Sequence, residues 1–295
     1  MPPSDRMLPK EWLKPDWPAP AKVRGFMTTR SGGVSLPPYD SLNPASHVGD
    51  DPLSVAENRS ILGRYLPAEP LWLNQVHGSD VYILPSPPGR GGGGERGVDQ
   101  TPSRASPSPN PRMNPLPFGI PEGEGVLIPT ADASVARAPG RVCAVLTADC
   151  LPVLFCDAAG TVVAAAHAGW RGLAGSVLER TVEAMRVPPG EVMAWLGAAI
   201  GPDSFEVGPE VREAFIEHDP LAATAFRPAL PGTLDEAPHK WLADIYALAR
   251  LRLARIGVSR VYGGGLCTLR DAERFYSFRR GRKTGRMASL IWLAE

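Results

Sequence analysis

The chain of 295 residues is long enough for one large domain or two ordinary ones. Hydrophobic residues make up 43% and charged residues 21%, a balance that excludes disorder along the whole chain and predicts a sizeable core. The 31 basic and 31 acidic residues cancel, so no overall charge exists to hold a polyanion or a membrane surface. We therefore expect neither nucleic acid nor a membrane among the partners.

Proline and glycine are concentrated in two stretches. Residues 1–22 form a Pro-rich N-terminal segment, which we expect Trp12, Leu13 and Trp17 to hold against the rest of the protein. Residues 85–125 contain ten prolines and nine glycines, and too few large apolar side chains to offset the entropy of ordering the chain. They predict a disordered insertion within a single domain spanning residues 23–295, because lengthening a surface loop costs little.

The N-terminus and the cysteines indicate a compartment. The first residues include Asp5, Arg6 and Lys10 and lack the apolar stretch of a secretory signal. The apolar runs are all shorter than the roughly 18 residues that a membrane span needs. Four cysteines in a chain of this length do not suggest a disulfide framework. We expect a protein of the reducing cytoplasm without a transmembrane segment.

Short apolar runs alternate with segments of helical spacing. In chain order the sequence predicts a helix-like segment that starts at Arg59, strands at 141–147 and 161–167, a helix at 172–185, a strand at 193–200, helices at 209–217 and 241–256, and strands at 258–262 and 287–293. Pro188 follows the 172–185 helix, and Gly257 follows the 241–256 helix. Because the order contains no clean βαβ repeat, we predict an α+β fold rather than a doubly wound sheet.

One cysteine and two histidines form a candidate metal site. His77 and His167 lie at predicted strand-to-loop junctions. The separation between Cys150 and His167 along the sequence is long enough for two neighbouring strands to bring their ends together. This donor set matches a zinc site that keeps a fourth position for water. No short motif ties the three residues together, so a structural cysteine with unrelated histidines stays open as the alternative.

Phosphate chemistry requires cationic side chains or backbone N–H donors. Individually weak candidates for holding phosphate or substrate are Arg30, Gly33, Asn43, Arg59 and Arg171. Asp80 and Asp149 each lie near a candidate metal ligand, where a carboxylate could orient that ligand or relay a proton.

The other cysteines, histidines and basic residues have simpler interpretations. Cys143 and Cys156 lie in apolar runs and are predicted core residues, whereas Cys267 is either core or site wall. His218 and His239 are expected at the surface, and the role of His47 is left open. A basic run near the C-terminus is interpreted as a solvated face: Arg279, Arg280, Arg282, Lys283 and Arg286.

Several segments together resemble one bacterial family. They are TTRSGGVSLPPYDSLN (28–43), LNQVHGSDV (73–81), ADA (131–133), VCAVLTADCLPVLFCD (142–157), VAAAHAGWRGLAGSVLE (163–179), WLGAAIGPDSFEVGPEV (195–211), LADIYALAR (242–250) and FYSFRRGRKTGRMASLIWL (275–293). From residue 23 to its end, the chain is similar to YfiH-like proteins, formerly called multicopper polyphenol oxidases or laccase-domain proteins and now purine nucleoside phosphorylases. The insertion at 85–125 departs from the family by lengthening the link between HGSDV and ADA.

The resemblance implies a fold, a cofactor and an activity. The implied fold is α+β, with mixed sheets packed together and flanked by helices, similar to that of the cytotoxic necrotizing factor toxins. The implied cofactor is zinc held by His77, Cys150 and His167, with copper as the other possible metal. The implied substrates are phosphate and purine nucleosides, namely adenosine, inosine, guanosine and methylthioadenosine, which are cleaved to a base and a pentose 1-phosphate. Deamination of adenosine is implied as a second reaction.

Two other activities and one non-catalytic role are the alternatives to this function. A blue-copper site takes two histidines and one cysteine, which leaves too few histidines, and no HxH pair, for the further coppers of a laccase. A Cys/His amidase or hydrolase would use Cys150 as nucleophile and His167 as base on a cell-wall precursor or another amide. A non-catalytic, metal-stabilised module would dock a partner through the C-terminal basic run. The oligomeric state is left open.

Overall fold

The computed structural model describes residues 7–86, 128–229 and 240–295. The predicted insertion lies outside these residues apart from its first two positions, and so does His239. The strands of the described residues, β1 to β12 in chain order, are Val23–Met27, Val81–Ile83, Ala133–Ala136, Cys143–Thr147, Leu151–Asp157, Val163–Ala168, Val192–Leu196, Glu206–Val207, Phe226–Pro228, Trp241–Ala243, Arg260–Gly263 and Met287–Leu293. Their α-helices, α1 to α5, are Pro52–Gly63, Trp170–Ala174, Val177–Ala184, Pro209–Ile216 and Ile245–Arg255.

The largest sheet has six strands in the order β11-β7-β5-β6-β3-β2. Its outer pairs, β11 with β7 and β2 with β3, are parallel, whereas the inner neighbours are antiparallel. A second sheet has the antiparallel order β1-β12-β4, and a small third sheet has the order β8-β10-β9. Mixed sheets with interspersed helices confirm the predicted α+β class.

Two sheets packed face to face explain the continuous apolar runs. Along β5, Val153 and Phe155 pack with the helices on one face, whereas Leu154 and Cys156 pack between the six-stranded sheet and the β1-β12-β4 sheet. All seven residues of β5 are buried. A strand that is covered on both faces needs apolar residues at every position rather than at alternate ones. This burial fixes the strand ends that carry the candidate ligands.

The far side of the β1-β12-β4 sheet is covered by α1 and the N-terminal segment. Trp12 is buried and stacks on Phe26 of β1 with ring centroids 4.8 Å apart. Leu13 forms an isolated antiparallel bridge with Met27. The expected contact between the N-terminal segment and the rest of the protein is therefore made by these two side chains and by the backbone.

The predicted single helix at 172–185 is wrong, because the chain forms two short helices there. Helix α2 ends at Ala174 with Gly175 as its C-cap, and Ser176 has a left-handed backbone with φ of 73°. A guanidinium stabilises the break: Nη2 of Arg252 donates to the carbonyl oxygen of Ala174 and, at 2.8 Å, to Oγ of Ser176. This partner comes from a helix distant in sequence, so periodicity alone could not reveal it.

Two other predicted helix starts are wrong. Residues 241–243 form β10, and α5 begins only after Asp244, whose carboxylate accepts hydrogen bonds from the N–H groups of Tyr246 and Ala247. Helix α1 begins at Pro52 behind the N-cap Asp51, so Arg59 lies in its second half. Strand β1 was not predicted. None of the helices in the described part of the chain has the length and apolar character to span a bilayer.

Candidate metal centre

The structure brings His77, Cys150 and His167 together. Cys150 directly precedes β5, His167 lies in the adjacent antiparallel β6, and His77 lies in the loop before β2. One ligand atom from each residue lies within 4.8 Å of the other two. Among the described residues this is the one group of three or more potential ligands so placed.

The three side chains differ in exposure. His167 is buried, Cys150 is half-buried and His77 is exposed. The two imidazole rings meet edge to face, with centroids 4.7 Å apart and an interplanar angle of 76°. The donors are therefore anchored in the core on one side and are accessible to a small molecule on the other.

A buried carboxylate, Asp132, positions both histidines. Its Oδ1 lies 2.7 Å from Nδ1 of His167 and accepts the N–H of His77 at 3.0 Å. Its Oδ2 accepts the N–H groups of Val76 and Gly78. These bonds hold His77 in a left-handed conformation with φ of 61°. Because Nδ1 of His167 faces the carboxylate, Nε2 is left for a metal.

Burial alone would raise the pKa of Asp132, but the hydrogen bond and charge of His167 and the backbone donors outweigh it and lower that pKa. Sequence reasoning missed this residue, although it is the Asp of the ADA segment. It directly precedes β3, whose first residue Ala133 pairs with Ala166 of β6. A carboxylate at the start of a strand beside the His167 strand is the signal that would have identified it.

Gly169 shows how closely the three donors are packed. A Cβ at this position would lie 2.9 Å from Cδ2 of His77, 3.1 Å from Sγ of Cys150 and 3.7 Å from Cε1 of His167. All three ligands would be contacted by the side chain that glycine lacks. Glycine is therefore required here because the donors converge on this point of the backbone.

The Cys150 thiol and the His167 imidazole shift one another's ionisation. Burial disfavours the Cys150 thiolate, but the positive charge of His167 and hydrogen bonds from both imidazoles outweigh it and lower the Cys150 pKa. Burial likewise disfavours the His167 imidazolium, but the thiolate and Asp132 raise the His167 pKa. By contrast, burial raises the pKa of both Cys143 and Cys156 to about 12, which agrees with their interpretation as core residues.

These residues fit a metal ion. A thiolate and two imidazoles are borderline-soft donors of the kind that zinc and copper bind. Their separation, the preset orientation of His167 and the exposed His77 side leave room for a further ligand on the ion. The three side chains can therefore hold a divalent ion while keeping one coordination position for a reacting molecule.

The two aspartates expected to assist the ligands have other contacts. The carboxylate of Asp80 is exposed and lies 3.5 Å from Arg180, although its carbonyl oxygen accepts the N–H of Asp132. Asp149 has φ of 88°, and its carboxylate accepts hydrogen bonds from Thr268, Ser277 and the N–H of Arg279. Asp149 thus fixes the chain just before Cys150.

Three of the phosphate candidates are engaged within the protein. Arg30 forms an ion pair with Asp40 at 2.8 Å and donates to the carbonyl oxygen of Ala272. The N–H of Gly33 donates to Ser41, and a Cβ on Gly33 would lie 2.3 Å from the Ser41 carbonyl oxygen. These donors are already used.

Asn43 is also engaged within the protein, since its buried side-chain amide donates to Asp50 and accepts from the N–H of Arg286. Of the other candidates, exposed Arg171 stacks on the Trp170 ring at 4.4 Å. Arg59 donates from Nε to the carbonyl oxygen of Pro44, with its Nη atoms free of hydrogen bonds to the described residues.

The C-terminal basic run is more than a solvated face. Nη1 of Arg280 donates to the carbonyl oxygens of Thr268 and Leu269, and Nη1 of Arg279 donates to that of Glu206. Arg286 is half-buried, and its pKa responds to the charge of Cys150. Arg279, Arg280, Arg282 and Lys283 are exposed, as a solvated face requires, whereas partly buried Arg286 departs from that interpretation.

Comparison with known proteins identifies relatives along almost the whole chain. A family model described as multi-copper polyphenol oxidoreductase laccase matches residues 24–294. A purine nucleoside phosphorylase of Pseudomonas aeruginosa is 49% identical over 96% of this chain and 99% of its own length. The purine nucleoside phosphorylase YfiH of Escherichia coli is 48% identical over 95% of this chain and 98% of its own length.

A solved structure is similar over the same extent. The crystal structure of a Neisseria meningitidis protein superposes with a TM-score of 0.77 at 47% identity, covering 97% of this chain and 100% of that one. Sequence and fold thus agree along almost the entire length, which confirms the resemblance found in the motifs. This chain belongs to the multi-copper polyphenol oxidoreductase laccase family, the family of YfiH.

Proposed function

We propose that this protein is a zinc-dependent purine nucleoside phosphorylase that also deaminates adenosine. The observation that carries the proposal is the convergence of His77, Cys150 and His167 on one accessible point. Relatives with 39% to 49% identity over nearly their whole length are named purine nucleoside phosphorylases, which supports the same substrate class here. Adenosine, inosine, guanosine and methylthioadenosine are the proposed nucleosides.

Zinc is the metal that we propose for this donor set. One thiolate and two neutral imidazoles would leave the site with a net charge near +1, and a bound zinc ion would supply a Lewis acid that activates water or a substrate oxygen. A laccase needs several coppers, but the described residues contain a single group of potential ligands. The donor types alone would also accept copper, so metal content belongs in the test.

The chain's own residues have separable roles in this reaction. Asp132 keeps Nδ1 of His167 occupied and holds the His77 loop. His167 and Cys150 are held by the strands, and exposed His77 lies at the rim, where a nucleoside can reach it. In phosphorolysis the ribose gains positive charge and the departing purine gains negative charge, so phosphate must be held against C1′ while the base is stabilised.

The test is turnover of adenosine with and without phosphate, together with metal analysis. Release of adenine and ribose 1-phosphate should require phosphate, whereas release of inosine and ammonia should not. Cys150→Ala should lose zinc and both reactions, whereas Cys143→Ala, which removes a core thiol, should keep its zinc. Adenine release that is indifferent to phosphate, or full activity of Cys150→Ala, would overturn the proposal.

The second candidate is a Cys/His amidase. Its support is the Cys150–His167 pair, whose pKa shifts favour thiolate and imidazolium, together with Asp132 on the far nitrogen of His167. Activity on an amide that survives complete chelation, with covalent trapping of Cys150, would support this candidate. Absence of any turnover would leave the metal-stabilised interaction module.

The proposed enzyme acts in the cytoplasm through one catalytic domain that spans residues 23–295. Its four cysteines are free, which suits a reducing compartment. Fractionation of cells that express the full chain would test the location.

A further inference from the structure

We propose that Phe278 is the residue on which the purine base of the nucleoside stacks, at the rim of the His77–Cys150–His167 cluster. This inference rests on the proposed function, whose two reactions both act on a nucleoside next to these donors. It adds a residue that binds the base, which neither the donor set nor the phosphate candidates supply.

Phe278 is exposed although the three residues before it are buried. Its side chain is 48% exposed, whereas Phe275, Tyr276 and Ser277 are almost fully covered. Single exposed apolar residues are common on protein surfaces, so exposure alone does not indicate a site. Phe278 differs from such residues in where its backbone is held.

Asp149 holds the backbone on both sides of Phe278. Oδ2 of Asp149 accepts hydrogen bonds from Oγ of Ser277 at 3.0 Å and from the N–H of Arg279 at 2.7 Å. The nitrogen of Arg279 is bonded to the carbonyl carbon of Phe278, so standard bond lengths place Cα of Phe278 within about 5 Å of this carboxylate oxygen. Asp149 directly precedes Cys150. Phe278 is therefore anchored to the residue next to a candidate metal donor.

The segment around Phe278 is fixed by the protein's own contacts. The other carboxylate oxygen of Asp149 accepts the hydroxyl of Thr268 at 2.6 Å. Nη1 of Arg280 donates to the carbonyl oxygens of Thr268 and Leu269, which ties the residues after Phe278 to the same place. A side chain that is already held in position loses little conformational entropy when a ligand stacks on it. The segment thus presents the ring in advance of binding.

A guanidinium supports one side of the Phe278 ring. Cζ of Arg286 lies over the ring, 5.8 Å from its centroid, and the N–H of Arg286 donates to buried Asn43 at 3.0 Å. Burial lowers the pKa of Arg286 and the negative charge of Cys150 opposes that effect, which agrees with a position of the ring beside this donor. In phosphorolysis the departing purine gains negative charge, so a cation beside the stacked base would favour the reaction.

Apolar surface is also exposed beside a second donor. Val76 directly precedes His77, its side chain is 54% exposed, and its N–H donates to Oδ2 of Asp132. The rim therefore carries exposed apolar groups on the side of His77 as well as on that of Cys150. Every nucleobase has a π-face that stacks on an aromatic ring, whereas ribose and phosphate have none. Of the parts of a nucleoside, the base is the one that such a rim accommodates.

The first test is phosphorolysis of adenosine by Phe278→Leu and Phe278→Tyr. Leucine is apolar but has no π-face, so Phe278→Leu should raise the adenosine KM about 5-fold to 100-fold, the effect of removing one base–aromatic stack. The kcat, the phosphate KM and the zinc content should change by less than about twofold, because stacking binds ground state and transition state alike. Phe278→Tyr should keep the adenosine KM of the wild type.

The control is Leu221→Ala, which removes an exposed apolar side chain from another segment and should leave the adenosine KM unchanged. An adenosine KM of Phe278→Leu equal to that of the wild type would overturn the inference. So would a rise in the phosphate KM alone.

Binding of inosine in phosphate-free buffer separates this inference from the proposed function, because neither proposed reaction consumes inosine there. In zinc-loaded protein labelled with para-fluorophenylalanine, the fluorine resonance of Phe278 is identified by its absence in Phe278→Leu or Phe278→Tyr. Inosine should shift this resonance in the labelled wild type. A shift supports the inference even if no nucleoside is cleaved. An unmoved resonance overturns it, and the proposed function then stands or falls by turnover alone.

Discussion

Oδ1 of Asp132 lies 2.7 Å from Nδ1 of His167, and both of these side chains are buried. The same oxygen accepts the N–H of His77 at 3.0 Å. One carboxylate therefore sets the orientation of an imidazole and the path of the loop that carries the second imidazole. Two of the three candidate metal donors depend on a residue that would not touch the ion.

Asp132→Asn should weaken zinc binding about 10-fold to 100-fold, because outer partners of metal-ligating histidines have effects of that size. The amide keeps the shape of the side chain but loses the charge that holds the His167 ring. Competition with a chromophoric chelator measures the zinc affinity. Asp80→Asn is the control, since the Asp80 side chain is exposed and faces Arg180. Equal zinc affinities of wild type and Asp132→Asn would contradict this role.

Gly169→Ala should abolish zinc binding while leaving the fold in place. The added methyl group would lie 2.9 Å from the His77 ring and 3.1 Å from Sγ of Cys150, so the donors must separate. Metal content after dialysis and the far-ultraviolet circular dichroism spectrum measure the two effects. Gly190→Ala is the matched control, because no atom lies within 4 Å of the added Cβ there. Normal metal content in Gly169→Ala would show that the site is less crowded than described.

In metal-free protein, iodoacetamide should label Cys150 at neutral pH and leave Cys143 and Cys156 unlabelled. The lowered pKa of Cys150 keeps its thiolate present well below the ordinary range of a thiol, whereas burial raises the pKa of the other two to about 12. Peptide mass spectrometry at a series of pH values separates each site from Cys267. His167→Asn should move Cys150 labelling to higher pH. An unchanged profile in that variant would exclude His167 as the cause.

Asp157→Asn should lower the free energy of unfolding by about 1–3 kcal/mol at neutral pH. Buried Asp157 accepts the N–H groups of Thr161 and Val162 and the Thr161 hydroxyl, and these bonds outweigh burial and lower its pKa. A lowered carboxyl pKa contributes stability above the pKa of the unfolded state, and this contribution is lost as the pH falls through the folded value.

Urea denaturation from neutral to acidic pH measures that contribution. The difference in stability between wild type and Asp157→Asn should narrow as the pH falls below the ordinary carboxyl pKa. Glu183→Gln, which changes an exposed carboxylate on α3, should show no such trend. A gap that stays constant down to acidic pH would exclude ionisation of Asp157 as its source.

Local apolar patterns predicted several elements well. Strands β4, β6 and β12 follow short apolar runs, and α4 follows Pro209 with the periodicity of a helix. The helix at 172–185 failed because Ser176 takes a left-handed conformation that Arg252 supports from a distant helix. Patterns of this kind report burial along one segment and carry no information about a partner far away in sequence.

The amino-acid sequence by itself determined the α+β class, because apolar runs mark buried strands, and its motifs determined the family. The spacing of residues made His77, Cys150 and His167 candidate donors, and the resemblance to the family supported the same three residues. Only the tertiary structure decided which other groups face those donors. Asp132 lies beside His167 because β3 pairs with β6. These relations are set by strand register and by packing between distant segments, which the spacing of residues along a chain does not encode.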